Sequence, residues 1–289
     1  MNVRPWLQLI RLSNAPTIVS NVLVGWAIGL HAHSDGSWTG IAPTTIAMLL
    51  LYVGGMALND VMDVEVDRRE RPARPIPSGE ISRSAAALFV IACFATALGL
   101  LALRGWMTVG YGFVLMIAII LYNIIHARTA ASVLLMGLCR GLVYVIAALA
   151  AGWSPQWGAL PLLATALTAY VLLFSLVARG EAGGERMRFE SIIVLLPMFA
   201  VVFGEFVPSN APAWLTIIGR GVFLIWALGV AMYVQQPQRH LGRAVAGWIA
   251  GIALLDVYHL TRLDQPEAAL AAGACFALTL VGQKWIAGT

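Results

Sequence analysis

The chain is poor in charge: of 289 residues only 11% are Asp, Glu, Lys or Arg, against 60% hydrophobic, and mean hydropathy is +0.82. Soluble domains carry about 25% charged residues, so a water-soluble globule is excluded and a polytopic membrane protein is expected. Cysteine is equally scarce. Cys93, Cys139 and Cys275 are odd in number, lie in apolar runs and form no C-x-x-C pair, which argues against a disulfide framework and a thiolate zinc site. Each reads as a small core hydrophobe. No linker or low-complexity stretch interrupts residues 1–289, so one domain is expected. The first apolar run lacks a small-residue cleavage site and reads as a retained span. The formal charge of +4 would suit nucleic acid, but the arginines cluster beside apolar runs, and basic juxtamembrane loops explain them without such a partner.

What the chain has in excess is apolar runs of about 20 residues, the length that crosses a bilayer as a helix. Ten candidates lie at 15–33, 41–60, 84–103, 107–125, 130–151, 157–178, 189–207, 213–234, 242–260 and 266–286. The run 242–260 is the weakest, because Asp256 and His259 interrupt its end. With the N-terminus in the cytoplasm, the loops on that side collect most of the arginines, among them Arg68, Arg69, Arg83, Arg128 and Arg186. The opposite loops hold only Arg104 and Arg262. That bias orients the chain. The expected fold is all-α, a multi-pass helix bundle in a bacterial inner membrane.

Asn59, Asp63 and Asp67 recur at every fourth position where the second run ends, so on a helix they share one face. With Asp60 and Glu65 nearby, these acids repel one another unless a cation binds them. Carboxylates at a membrane boundary are costly, and by default they mark a functional site. Close carboxylates with an amide oxygen suit a hard divalent ion such as Mg²⁺, which shares few protein carboxylates with substrate phosphates. Arg68, Arg69, Arg71 and Arg74 follow directly and could grip the same phosphates. The segment reads as a diphosphate–metal site.

A second acidic pair, Glu181 and Glu185, follows the sixth run with the same spacing, on the same side. Alone it reads as a solvated loop; beside the first motif it becomes a second metal-binding pair. Two acidic loops, each after an even-numbered run, suggest a loose four-helix internal repeat. Tyr122 and His126 share a helix face at the end of the fourth run and could hydrogen-bond an anionic leaving group. Arg140 lies deep in the fifth run and needs a counter-charge, either a diphosphate or an internal partner. Arg220 and Asp256 are further charges within runs and read as structural.

These residues carry a resemblance. The chain resembles the UbiA superfamily of intramembrane prenyltransferases, whose hallmark is N-D-x-x-D-x-x-x-D after the second span. The likeness runs from Arg11, Asn14 and Pro16 through Asn59–Asp67 and the R-P-x-P-S-G of Arg74–Gly79 to Tyr122 and the acidic pair after the sixth span. The first motif followed by R-P-x-P-S-G is its most specific part. Three positions depart from the family pattern. Glu181 and Glu185 stand for two aspartates, His126 stands for a lysine and is cationic only when protonated, and ten spans are counted where nine are usual. The A-R-x-E-like second motif resembles the EboC-type branch, which puts an aromatic acceptor in question.

The resemblance implies nine to ten helices around a central cavity open to cytoplasm and lipid. It implies Mg²⁺ bridging a polyprenyl diphosphate to Asn59, Asp63, Asp67, Glu181 and Glu185. Arg11, Asn14, Arg71, Arg74 and Arg140 would hold the diphosphate, with Tyr122 and His126 assisting. Asp60 would either orient Asn59 or deprotonate the acceptor, which is an aromatic or quinone precursor or a polyol. A terpene cyclase of the same superfamily would use the same ionisation without an acceptor. A secondary transporter also has intramembrane charges and a repeat, but it has no use for this motif pair.

Overall fold

The computed structural model describes residues 3–31, 37–126, 129, 131–153, 158–182, 209, 211–235 and 241–286. Among them all regular structure is helical. Short α1 (Arg4–Leu9) and a 3₁₀ turn (Leu12–Asn14) lead into α2 (Pro16–His31) and α3 (Ile41–Met62). Then come α4 (Val64–Glu70), α5 (Arg83–Ala102), α6 (Trp106–Ile125), α7 (Ser132–Ala150) and α8 (Ala159–Ala182). Three more follow: α9 (Ala213–Gln235), α10 (Leu241–Arg262) and α11 (Pro266–Trp285). A helix satisfies its own backbone hydrogen bonds, which is why continuous apolar runs take this form in lipid. Eight described helices are long and apolar enough to cross a membrane. The protein is an integral, multi-pass membrane helix bundle.

Nine of the ten expected runs coincide with described helices; the tenth, 189–207, lies outside the described residues. The helix in the first run, α2, has 16 residues and falls short of full spanning length. The doubtful run 242–260 becomes α10, which is more deeply buried than any other of the eight. Its polar residues broke the hydropathy pattern because they face protein, not lipid.

α2 and α7 form the centre. Side chains from both enter the two apolar cores, one with α3, α5 and α6, the other with α8, α9, α10 and α11. Small residues permit this: a Cβ on Gly25 would overlap the Tyr144 carbonyl and the Ala147 methyl, and one on Gly29 would lie 2.6 Å from the Ala148 carbonyl. Between membrane helices such close approach replaces the missing hydrophobic drive with dispersion contacts. At the end of the bundle away from the acidic motif, Arg104 donates to the Ala150 carbonyl at 3.1 and 2.6 Å, which satisfies an orphan acceptor in the last turn of α7.

Candidate active site

On a helix the spacing of the acidic motif would put Asn59, Asp63 and Asp67 on one face. In the structure α3 stops at Met62, Asp63 adopts φ −85° and ψ 4°, and α4 restarts at Val64. The i→i+4 backbone bonds nonetheless cross the joint, from Asp63 N to Asn59 O (2.9 Å) and from Asp67 N to Asp63 O (2.8 Å). The four-residue spacing therefore still gathers the side chains.

Their partners differ. Asp67 is buried and accepts from Arg74 Nη1 at 2.6 Å. Asp60, also buried, accepts from Arg74 Nη1 at 3.3 Å and from Arg11 Nη2 at 3.4 Å. Asp60 does not line the cavity described below; its side chain shares Arg11 Nη2 with that of Asn59, whose Oδ1 accepts at 3.1 Å. Asp63 keeps 21% of its side chain exposed and takes Asn59 Nδ2 at 3.1 Å and His126 Nε2 at 3.0 Å, with no arginine within 4.0 Å among the described residues. Asp63 is the carboxylate with charge to spare.

Local structure aims both arginines. The R-P-x-P-S-G segment folds into a compact turn, with Ser78 N bonded to Arg74 O (2.9 Å), Ile81 N to Pro75 O (3.0 Å) and Gly79 at φ +83°. Buried Ile76 pins this turn and directs Arg74 back at the acids. Arg11 sits in the left-handed region at φ 46°, which costs a non-glycine residue on the order of 1 kcal/mol. The Tyr52 hydroxyl holds its carbonyl at 3.0 Å.

A cavity of about 450 Å³ opens beside these groups. Ile18, Met48, Leu51, Leu115, Val171 and Ile252 make its apolar walls, while Arg11, Asn59, Tyr122, His126, Arg140 and Arg179 supply polar groups. That volume and mixture suit one organic ligand with an anionic head. Tyr122 stacks on His126 at 5.4 Å. Arg140 donates from Nη1 to Thr17 Oγ1 (3.0 Å) and Asn21 Oδ1 (3.1 Å) and lies over the Tyr52 ring at 5.8 Å. Asn14 also lines the cavity, its Oδ1 accepting from Gln283 Nε2 at 3.0 Å. Arg71 is exposed and does not line it.

Glu185 lies outside the described residues, and of Glu181 only its place in the last turn of α8 is described. The sequence reading passed over Arg179, which reaches from α8 to the His126 carbonyl (2.7 Å) and Ser132 Oγ (3.3 Å). In the sequence Arg179 stands only as a basic residue at the end of the sixth apolar run, and the fold alone shows that it faces the cavity. All three cysteines are free, and Cys139 lines the cavity instead of serving only the core. Arg220 reaches the Tyr258 hydroxyl at 3.3 Å, well apart from the acids in sequence and in contacts.

The UbiA prenyltransferase family matches residues 19–281. The chain belongs to that family. It is 37% identical over 98 residues to digeranylgeranylglyceryl phosphate synthase of Methanopyrus kandleri, covering 34% of this chain and 35% of that protein. It is 31% identical over 140 residues to the synthase of the same name from Sulfolobus acidocaldarius, covering 47% of each. The chain thus spans less than half the length of these curated relatives. Among solved structures, a UbiA homolog from Archaeoglobus fulgidus bound to GPP and Mg²⁺ superposes with TM-score 0.59 at 16% identity, covering 90% of this chain and 99% of that one. At that identity the likeness shows the fold. The expected leaning to the EboC-type branch is overturned: the curated matches consistently carry the digeranylgeranylglyceryl phosphate synthase name. The A-R-x-E-like stretch was too short to place the chain within its superfamily.

Proposed function

We propose that the protein is a divalent-metal-dependent intramembrane prenyltransferase that moves an isoprenyl group from a polyprenyl diphosphate to a polyol-type acceptor. The observation that carries this reading is the position of Asp63, partly exposed and without an arginine among the described residues, bonded to Asn59 and His126, which line an apolar cavity with a cationic rim. Among the described residues no three His, Cys, Asp or Glu side chains form a ready-made metal cage. The donor set nevertheless fits Mg²⁺, because it is all oxygen and because Mg²⁺ is held by one or two carboxylates plus substrate phosphates. Asn59 and Asp63 would hold the ion, with Asp67 joining if Arg74 shares it and with Glu181 and Glu185 as the second pair. When bound, the metal neutralises charge that builds on the leaving diphosphate.

The chain's own groups do the rest. Arg11 and Arg140 hold diphosphate oxygens, and Tyr122 and His126 reach the leaving-group side of the cavity. Arg74 keeps Asp60 and Asp67 ordered, so Asp60 acts by placing Arg11 and not as a base. The apolar walls take up the isoprenyl tail and exclude water while the allylic C–O bond breaks. The acceptor hydroxyl then forms the new C–O bond, its proton leaves to solvent, and diphosphate departs. The acceptor class is supported by the curated relatives, whose name specifies a glyceryl phosphate product. The arginine bias places the reactive end toward the cytoplasm.

The test is product analysis. Purified protein in lipid nanodiscs would receive a polyprenyl diphosphate with a glycerol-phosphate acceptor, with an aromatic acceptor, or with none. A prenyl ether formed only in the first case is expected. A prenylated aromatic ring would refute the acceptor class, and a cyclised hydrocarbon formed without acceptor would make the protein a cyclase.

A further inference from the structure

The proposed chemistry makes no use of Asp256, a carboxylate with no exposed surface on α10. It does not line the cavity, yet three donors from two other helices converge on it: Ser20 Oγ at 2.5 Å and Asn21 Nδ2 at 2.8 Å from α2, and the Tyr144 hydroxyl from α7. Because the Tyr144 hydroxyl donates its hydrogen bond to Asp256, the Tyr144 oxygen is left to accept from His259 Nδ1–H at 3.4 Å. His259 Nε2 is buried with no hydrogen-bond partner among the described residues. The hydrogen bonds from Ser20, Asn21 and Tyr144 all run toward the Asp256 carboxylate, with the single Ser20 proton also within reach of the Thr17 carbonyl at 3.1 Å. The cation that balances the carboxylate is Arg140, one amide away.

Asn21 is the link, and its orientation is forced. A carboxylate can only accept, so the Asn21 amide nitrogen faces Asp256 and the amide oxygen faces Arg140. Turned over, the amide would set N–H groups against a guanidinium that has only N–H groups. Arg140 spends Nη1 on Asn21 and Thr17, and Nε and Nη2 have no hydrogen-bond partner among the described residues. Those donors belong to a guanidinium that lines the cavity.

We propose that Asp256 is a positioning residue that, by fixing the Asn21 amide, holds Arg140 aimed at the anionic head of the donor. This rests on the reading of Arg140 as a diphosphate-binding group. An anion already present in the ground state is held by Arg140 before and during ionisation, so loss of aim falls on KM more than on kcat. Charge alone predicts the opposite sign: deleting the carboxylate strengthens the pull of Arg140 on an anion and lowers KM. The direction of the change separates anchoring from mere compensation.

The experiment is a double-mutant cycle in nanodiscs with Asp256→Asn, Arg140→Gln and the pair, following donor KM, kcat and the thermal shift produced by farnesyl thiodiphosphate, an unreactive donor analogue. Asp256→Asn should raise donor KM about 3- to 10-fold and shrink the thermal shift, with kcat within about two-fold, and in the Arg140→Gln background it should change KM by less than about two-fold. Asn21→Leu keeps both charges, removes the link and should raise KM similarly, which covers the case in which Asp256→Asn folds poorly. An unchanged KM, a lowered KM, or an equal rise in the Arg140→Gln background would each overturn the proposal. If Arg140→Gln alone leaves KM unchanged, the diphosphate role of Arg140 fails first and the role of Asp256 goes with it.

Discussion

Two polar clusters share this bundle and treat charge in opposite ways. At the end of α3 three carboxylates meet two arginines and a histidine, and Asp63 is left partly exposed with no arginine among the described residues. Around Asp256 a single carboxylate is sealed from solvent and saturated by three donors. The first cluster is under-neutralised and lies beside a cavity; the second is complete and closed. An incomplete carboxylate set can accept an added cation, whereas a complete one can only hold geometry. Burial and partner count, not charge, separate a reactive site from a clamp.

Removing the incomplete carboxylate should have the largest effect. Asp63→Asn is expected to lower turnover by roughly 100-fold or more, since an amide cannot hold Mg²⁺ against its hydration shell. Diphosphate release by membrane-inserted protein measures it. If Asp256→Asn costs as much at saturating donor, the distinction between the clusters collapses. Next in size is Arg74→Ala, which leaves Asp60 with Arg11 alone and buried Asp67 with no arginine partner among the described residues. A loss of about 2–4 kcal/mol is expected, somewhat under the usual cost of breaking a buried pair because Arg74 is 17% exposed. Unfolding in denaturant at fixed detergent would report it, and an unchanged midpoint would mean that water already solvates those acids.

How much of this was legible in the sequence follows the same division. The clustering of the acid motif was readable, because the four-residue spacing of Asn59, Asp63 and Asp67 gathers their side chains at one helix end. The break at Asp63 was not, since nothing in V-M-D-V-E signals a joint. Nine of the helices could be placed from apolar runs, whereas α10 looked weakest although it is the most buried span. Hydropathy scores lipid exposure, and a helix surrounded by protein escapes that test. Thr17, Ser20 and Asn21 on α2, with Asp256 and His259 on α10, carried a usable signal in their three- and four-residue spacing. Only the fold could show that the two sets meet.

A smaller effect is expected where the clusters are joined. Gly25→Val would push α2 away from Tyr144 and Ala147 on α7, costing about 1–3 kcal/mol and disturbing Asn21 one turn away. Thermal unfolding in nanodiscs checks the first part, and a raised donor KM the second. Smallest of all, Ser20→Ala removes one of three donors to Asp256 and should cost about 1 kcal/mol with little change in KM, because Asn21 and Tyr144 remain. A KM rise as large as that of Asn21→Leu would show that the aim of Arg140 depends on total charge compensation and not on the amide link.

The decisive measurement is diphosphate release from proteoliposomes given polyprenyl diphosphate and acceptor, with Mg²⁺ or with EDTA, for the wild type, Asp63→Asn and Asp256→Asn at saturating donor. Release should require Mg²⁺, vanish in Asp63→Asn and persist within about two-fold in Asp256→Asn. Release that survives EDTA, or that Asp63→Asn retains within a few-fold, would refute a metal-bearing site at the end of α3.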